Sequence, residues 1–371
     1  MSFVPFELER WQSTWEKRVR FNLAESGVHA LSVAELLELT GSDPRALGDV
    51  RLSYNQSDGS EDLRRAIAST YPNVRPEEVT VTVGSAEANF IVCWTLIEPG
   101  DHIAVVTPTY MQIPGLVRNF GATVSEIPLQ YERGWTLDLE RMHHAIRPGT
   151  KAVIVTNPNN PTGAVLSDTE RRAIVARTDD VGAWLLADEV YHGAELEGPP
   201  TGSFWNEGGR TIVVNGLSKA YGLPGLRVGW IVSSPAFKER VLRRHDYTVI
   251  GPSPASDLLA ELALGGRDAV LARTRGILTE NYPILDRWLR DFGDLFEWRG
   301  PACGAIALAR YHHGIRSAEL AERVRAACDV LLAPGAHFGT EHTIRFGFGN
   351  ERAELEAALA TLGPVLQRLL T

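Results

Sequence analysis

Three cysteines, Cys93, Cys303 and Cys328, are all that the 371-residue chain carries, and none forms a Cys-x-x-Cys pair. They lie far apart among apolar residues, which excludes a disulfide framework and suits reduced thiols in a cytoplasmic protein. An excess of basic charge is also missing, since 37 Lys+Arg against 46 Asp+Glu give a formal charge of −9. Nucleic acid is therefore a disfavoured partner, because phosphate binding needs a basic face. No apolar run approaches the roughly 20 residues of a spanning helix, and Met1 to Arg20 contain no apolar signal core. Neither a membrane nor a secretory leader is expected. Repeats, low-complexity segments and His-Glu-x-x-His motifs are absent. The adjacent pairs His143-His144 and His312-His313 point apart on a helix or strand, so no metal is expected.

What is present fits an ordinary folded enzyme: 44% hydrophobic and 22% charged residues over a length that suggests two domains. Short β-branched runs at Thr80–Val83, Ile103–Thr107, Ala152–Thr156, Trp184–Ala187, Thr211–Asn215 and Arg227–Val232 alternate with helical stretches such as Ala86–Ile97, Gln112–Phe120 and Ser167–Thr178. That alternation predicts an α/β fold with a mostly parallel sheet covered on both faces. After Pro235 the pattern shifts to helices at 236–247, 268–292, 317–328 and 352–370, with short strands at 305–309, 331–332 and 343–348, an α+β arrangement. Two amphipathic stretches, Glu7–Phe21 and Val33–Leu39, are too short to stand alone. They are expected to join the C-terminal part, giving a small domain of 1–47 plus 236–371 around a large domain of 48–235.

Four segments carry the chemistry. Lys219, in Asn215-Gly216-Leu217-Ser218-Lys219, ends an apolar strand; a desolvated amine there suits Schiff-base formation. Asp188-Glu189-Val190-Tyr191 follows another strand, where Asp188 either caps the next element or holds a cationic ring nitrogen. Asn157-Pro158-Asn159-Asn160-Pro161-Thr162-Gly163 is a rigid turn of unusual specification. Gly84-Ser85-Ala86 joins strand to helix, where free N–H groups attract an anion.

In this order and combination the segments resemble the class I/II aminotransferases, the fold-type-I pyridoxal-phosphate (PLP) enzymes, over nearly the whole chain from Asn22. The resemblance implies a three-layer, mostly parallel seven-stranded sheet with a smaller α+β domain, and PLP as cofactor. It makes Lys219 the residue of the internal aldimine and the proton shuttle, and pairs Asp188 with the pyridinium nitrogen. Asn160 and Tyr191 would hydrogen-bond the phenolic oxygen, and Tyr110 would stack on the ring. Ser85, Ala86, Ser218 and Arg227 would hold the phosphate. Tyr54 matches the tyrosine that reaches the phosphate of a neighbouring subunit, implying a homodimer with shared sites. Arg345, in Thr343-Ile344-Arg345-Phe346-Gly347, matches the grip on the substrate α-carboxylate. With Lys219 and Arg227 it gives the expectation of a cationic site.

Two departures from the family pattern stand out, the first removing a phosphate hydroxyl and the second bearing on the reaction. Gly216 stands where the family has a serine three residues before the lysine. The N-terminal substrate segment reads Ser26-Gly27-Val28-His29 instead of ending in Gly-x-Pro. That segment, placing Gly27 and Val28 beside substrate, is similar to the capreomycidine-synthase-like and lincosamide-biosynthesis branches of the family, which include cyclising, β-eliminating and oxidatively decarboxylating members. The implied activity is PLP chemistry on an α-amino acid or amino-acid moiety through an external aldimine. Transamination is the default and specialised antibiotic-type metabolism the context; the alternative is non-transaminating chemistry such as C–S β-elimination, decarboxylation-dependent oxidative deamination or cyclisation of a hydroxyarginine-like substrate. His29 is a candidate acid–base residue in that pocket, and Glu25 a candidate for a cationic or polar substrate end. A cofactor-sensing transcription regulator is disfavoured, since the resemblance begins near Asn22 and leaves no length for a DNA-binding domain.

Overall fold

The computed structural model describes residues 3–371; Met1 and Ser2, the first positions of the expected 1–47 segment, lie outside the described residues. Its main sheet runs in the spatial order Val79–Val83, Val228–Val232, Thr211–Gly216, Trp184–Asp188, Thr150–Thr156, His102–Thr107, Thr123–Gln130. The strands from Thr211–Gly216 to Thr123–Gln130 pair in parallel, and Val228–Val232 runs antiparallel to both its neighbours. These are the seven strands that the resemblance implies, and the two-residue strand Thr136–Leu137 adds an eighth at the edge.

Alternation along the strands builds the layers. Ile103, Val105, Ile154, Leu186, Ile212, Val214 and Ile231 face one side, under the helices Gly84–Leu96 and Pro235–His245. Ala104, Val106, Val153, Val155, Ala187 and Val213 face the other and join the larger core. A sheet buried on both faces leaves only its edges and strand ends for polar function, and ligands gather at the carboxyl ends. Thr156, Asp188 and Gly216 close their strands there, and Arg227 immediately precedes the antiparallel strand at the same end.

Two elements differ from the sequence expectation. Thr123–Gln130 is a strand despite Pro128, because it pairs near the sheet edge, where a missing N–H is tolerated. Phe21 ends no helix. The first helix covers Glu7–Trp15, and Phe21–Asn22 pairs in parallel with Val330–Leu331, which buries Phe21.

The C-terminal part folds around a four-stranded antiparallel sheet of Phe296–Trp298, Ile306–Tyr311, Thr343–Gly347 and Ala333–Pro334. The first helix docks on this part. Leu8 is buried with Ala24, Leu331, Ala333 and Phe338, and the Trp11 indole N–H donates to the Leu332 carbonyl at 2.8 Å. No helix among the described residues is long and apolar enough to cross a membrane.

Candidate active site

A cavity of about 390 Å³ opens at the carboxyl ends of the parallel strands. The Lys219 amine projects into it and meets Glu25 Oε1 at 3.0 Å. Two backbone amides, of Ser26 and Gly27, donate to that same carboxylate oxygen at 2.9 and 3.0 Å, fixing it in place. Lys219 beside it holds the Glu25 carboxyl down to about 2, against the opposing effect of burial. Burial works to lower the Lys219 pKa, but Glu25 and Tyr191 outweigh it and hold the ammonium above its ordinary range.

Asp188 ends its strand fully enclosed. Burial raises its pKa against two hydrogen bonds, from Asn89 Nδ2 at 3.0 Å and the Val190 amide at 3.2 Å. Neither partner is a cation, so the carboxylate is oriented but not neutralised. Tyr191 is 2% exposed and its hydroxyl has no partner, although it lines the cavity. Asn160 Oδ1 accepts from Arg345 Nη1 at 2.9 Å, and Arg345 Nη2 donates to the Ala24 carbonyl. Tyr110 donates its hydroxyl to Glu9 Oε1 at 2.6 Å.

At the other end of the cavity the helix Gly84–Leu96 begins without a side-chain cap, so its first amides stay available beside Ser85. Gly84 has φ +77°, and a Cβ there would lie 2.3 Å from Arg227 Nη2. Gly229 lets the neighbouring strand approach equally closely, since its Cβ would meet Gly84 and Ser85 backbone at 2.4 Å. An uncapped helix start and a guanidinium packed against it form a site for a dianion.

Ten of the residues singled out in the sequence thus line one cavity: Glu25, Ser85, Ala86, Tyr110, Asn160, Asp188, Tyr191, Ser218, Lys219 and Arg227. Arg345 stands behind Asn160, 1% exposed. Gly27 and Val28 lie on the far side of Lys219, around a small void shared with Tyr191 and Gly304. His29 is not brought to the cavity. Its Nδ1 is 3.0 Å from Arg273 Nη2, and burial together with Arg273 lowers its pKa, leaving a neutral imidazole. Tyr54 is 88% exposed and touches none of the cavity in its own chain. No cluster able to hold a metal occurs among the described residues.

The expectation of a cationic site is corrected. Glu9, Glu16, Glu25 and Asp188 line the cavity against Lys219 and Arg227. Glu9, Gln12 and Glu16 went unnoticed because helical spacing groups them on one face without showing what that face meets. Asn89 did carry a signal: it is a lone amide in the apolar run Ala88-Asn89-Phe90-Ile91, one helical turn after Ser85.

The model of aminotransferase class I and II matches residues 29–362. The chain belongs to that family. Relatives of this aminotransferase-family chain include capreomycidine synthase of Streptomyces vinaceus, 31% identical over 367 residues, covering 97% of this chain and 93% of the relative. Another is aspartate/prephenate aminotransferase of Thermus thermophilus, 28% identical and covering 87% and 86%. Among solved structures, a PLP-dependent aminotransferase from Streptococcus suis superposes with a TM-score of 0.93 at 32% identity, covering 99% of both chains. The PLP-dependent cyclase OrfR gives 0.92 at 29%, covering 100% of this chain and 98% of its own.

Pyridoxal phosphate is the cofactor of this aminotransferase-family protein, and the residues fit it. A buried carboxylate without a cation, an unpartnered buried phenol and an uncapped helix start beside Arg227 are the complements of a ring nitrogen, a ring hydroxyl and a phosphate.

Proposed function

We propose that the chain acts on the Cα bonds of an α-amino acid or amino-acid moiety, with transamination as its basic reaction. The juxtaposition of Lys219 with Asp188 at the ends of nearby strands carries this reading. When bound, the cofactor supplies an aldehyde for amines and a ring that accepts the electron pair of the broken bond. Lys219 contributes the amine that bonds the cofactor and afterwards moves the Cα proton. Its ammonium must first lose a proton, which the Glu25 carboxylate opposes until it is displaced. Asp188, oriented by Asn89, keeps the ring nitrogen protonated. Asn160 and Tyr191 would hold the ring hydroxyl, Tyr110 the ring face, and Ser85, Ala86, Ser218 and Arg227 the phosphate. Arg345, now bonded to Asn160 and the Ala24 carbonyl, would turn to the substrate carboxylate. His29 stays apart from this machinery, held by Arg273.

The exposed Leu52, Tyr54, Tyr247 and Ile250 support a homodimer in which Tyr54 reaches the partner's phosphate site. We place the protein in the cytoplasm and in specialised, antibiotic-type metabolism, which the match to capreomycidine synthase along both chains supports. The same match and the likeness to OrfR favour a second reading, cyclisation or another reaction without net amino transfer. The two differ in co-substrate. Product analysis by mass spectrometry, with amino acids offered with and without a 2-keto acid, decides between them. A transaminase converts one equivalent per site and stops without the keto acid, whereas a cyclase, lyase or oxidative deaminase turns over freely. Turnover retained in Lys219→Ala would overturn both.

A further inference from the structure

A second cavity, of about 370 Å³, lies between the edge of the main sheet and the C-terminal part. It shares no lining residue with the cavity at Lys219. Three residues on its sheet side carry buried polar atoms without a partner: Gln130 Oε1, the Tyr131 hydroxyl and the Trp135 indole N–H. Tyr131 and Trp135 are only 4% and 6% exposed, so bulk water does not satisfy them. Gln130 has given its Nε2 to Asp138 at 2.9 Å, which leaves its carbonyl oxygen as the free acceptor. Burial pushes the Tyr131 hydroxyl up to about 12, so it keeps its proton and can donate or accept. Trp135 also holds φ +65°, a left-handed conformation that is unfavourable for a residue with a bulky side chain.

Buried donors and acceptors left unmade cost free energy, and three of them around one cavity outline an occupant. That occupant must offer an acceptor to Trp135 and a donor to Gln130. Charge of both signs stands beside them. Arg310 lies 4.0 Å from the centre of the Tyr131 ring and reaches Glu132 only at 3.4 Å, and Glu132 lines the same cavity. Between these polar groups the wall is apolar, with Met111 and Phe338 facing each other from the two parts of the chain.

We propose that this cavity is a second amino-acid site, which takes a free zwitterionic α-amino acid with an apolar side chain as an effector and not as a substrate. Arg310 and the Trp135 N–H receive its carboxylate, Gln130 Oε1 and Glu132 its ammonium group, and Met111 and Phe338 its side chain. The position gives such a ligand leverage on the chemistry. Met111 directly follows Tyr110, and the Phe338 ring packs against the Arg345 guanidinium at 4.9 Å. An occupant that touches both braces the two parts of the chain against one another, whichever reaction Lys219 performs.

The test uses the loaded enzyme with its cofactor capped by aminooxyacetate, which closes the first site to amino acids. Equilibrium dialysis with labelled L-leucine and L-phenylalanine should then show about one equivalent of either bound per chain. The half-analogues 4-methylpentanoate, without the ammonium group, and 3-methylbutylamine, without the carboxylate, should compete about tenfold or more less well than leucine. Trp135→Phe, which keeps a ring but loses the N–H, and Arg310→Met should each weaken leucine about tenfold and leave the cofactor absorbance unchanged. Bound leucine should also slow amide exchange at residues 131–135 and 338–340. Retention of neither amino acid, or binding undiminished in both variants, overturns the second site. Binding that protects neither segment overturns its location, and equal competition by a half-analogue overturns the zwitterion as its ligand.

Discussion

The Glu25 carboxylate lies 3.0 Å from the Lys219 amine, across 194 residues of sequence. The pair links the N-terminal segment to the lysine proposed to bond the cofactor, and its titration has a definite sign. Glu25 is depressed from 4.5 to about 2, so its stabilising contribution is fully present above about pH 4.5 and disappears as pH falls towards 2. Lys219 is raised, so its contribution is present below its ordinary value of 10.5 and is lost only in stronger alkali. Thermal unfolding of the cofactor-free protein should therefore become less sensitive to acid across the range 4.5 to 2 in Glu25→Gln than in the wild type. Removing the carboxylate also leaves burial as the main influence on Lys219 and lowers its pKa. Added PLP should bond Glu25→Gln faster at pH 8, on the order of threefold or more in stopped-flow absorbance. Equal rates would show that the pair does not limit the amine.

Asp188→Asn should reduce turnover by roughly a hundredfold or more while the fold survives. The hydrogen bond from the Val190 amide can be kept by the asparagine oxygen, and the new amide can donate to Asn89 Oδ1, which lacks a partner in the wild type. Steady-state rates alongside melting curves check this. A large loss of stability with little loss of rate would mean that Asp188 serves the fold instead.

Gly84→Ala strikes the proposed phosphate end. A methyl group at φ +77° is strained and would lie 2.3 Å from Arg227 Nη2, so the guanidinium must leave the helix start. Cofactor affinity is expected to fall about tenfold or more, because both the oriented amides and the adjacent cation are disturbed. Fluorescence titration of the cofactor-free variant measures it. A glycine kept only for packing would lower the melting temperature without changing that Kd.

Tyr54→Phe makes the dimer testable. The side chain is 88% exposed, so losing its hydroxyl should leave the melting temperature of the cofactor-free protein close to the wild-type value. Cofactor affinity should nevertheless drop several-fold, through the partner's site. Light scattering should give a dimer of the 40.7 kDa chain. A monomer that binds cofactor normally in Tyr54→Phe would rule out the shared site.

Much of the site was legible because it is assembled from strand ends. In a sheet buried on both faces, a polar residue at the end of an apolar strand or within a few residues after it is delivered to one edge whatever the rest of the chain does, as with Asn160, Asp188, Ser218 and Lys219. The same logic placed Arg227 and the helix start at Ser85. Even Asn89 could have been found, as a polar interruption of an apolar helix.

Sequence alone therefore determined the cofactor chemistry and the α/β scaffold, both of which follow from local pattern. Only tertiary structure decided which charges line the cavity wall opposite Lys219. The spacing of Leu8 and Trp11 shows that the first helix has an apolar face. It does not show that this face docks on Leu331–Phe338 and so turns Glu9, Gln12 and Glu16 towards Lys219. Amphipathicity fixes which side of a helix leaves water, and the docking partner, some three hundred residues away, fixes what the other side meets.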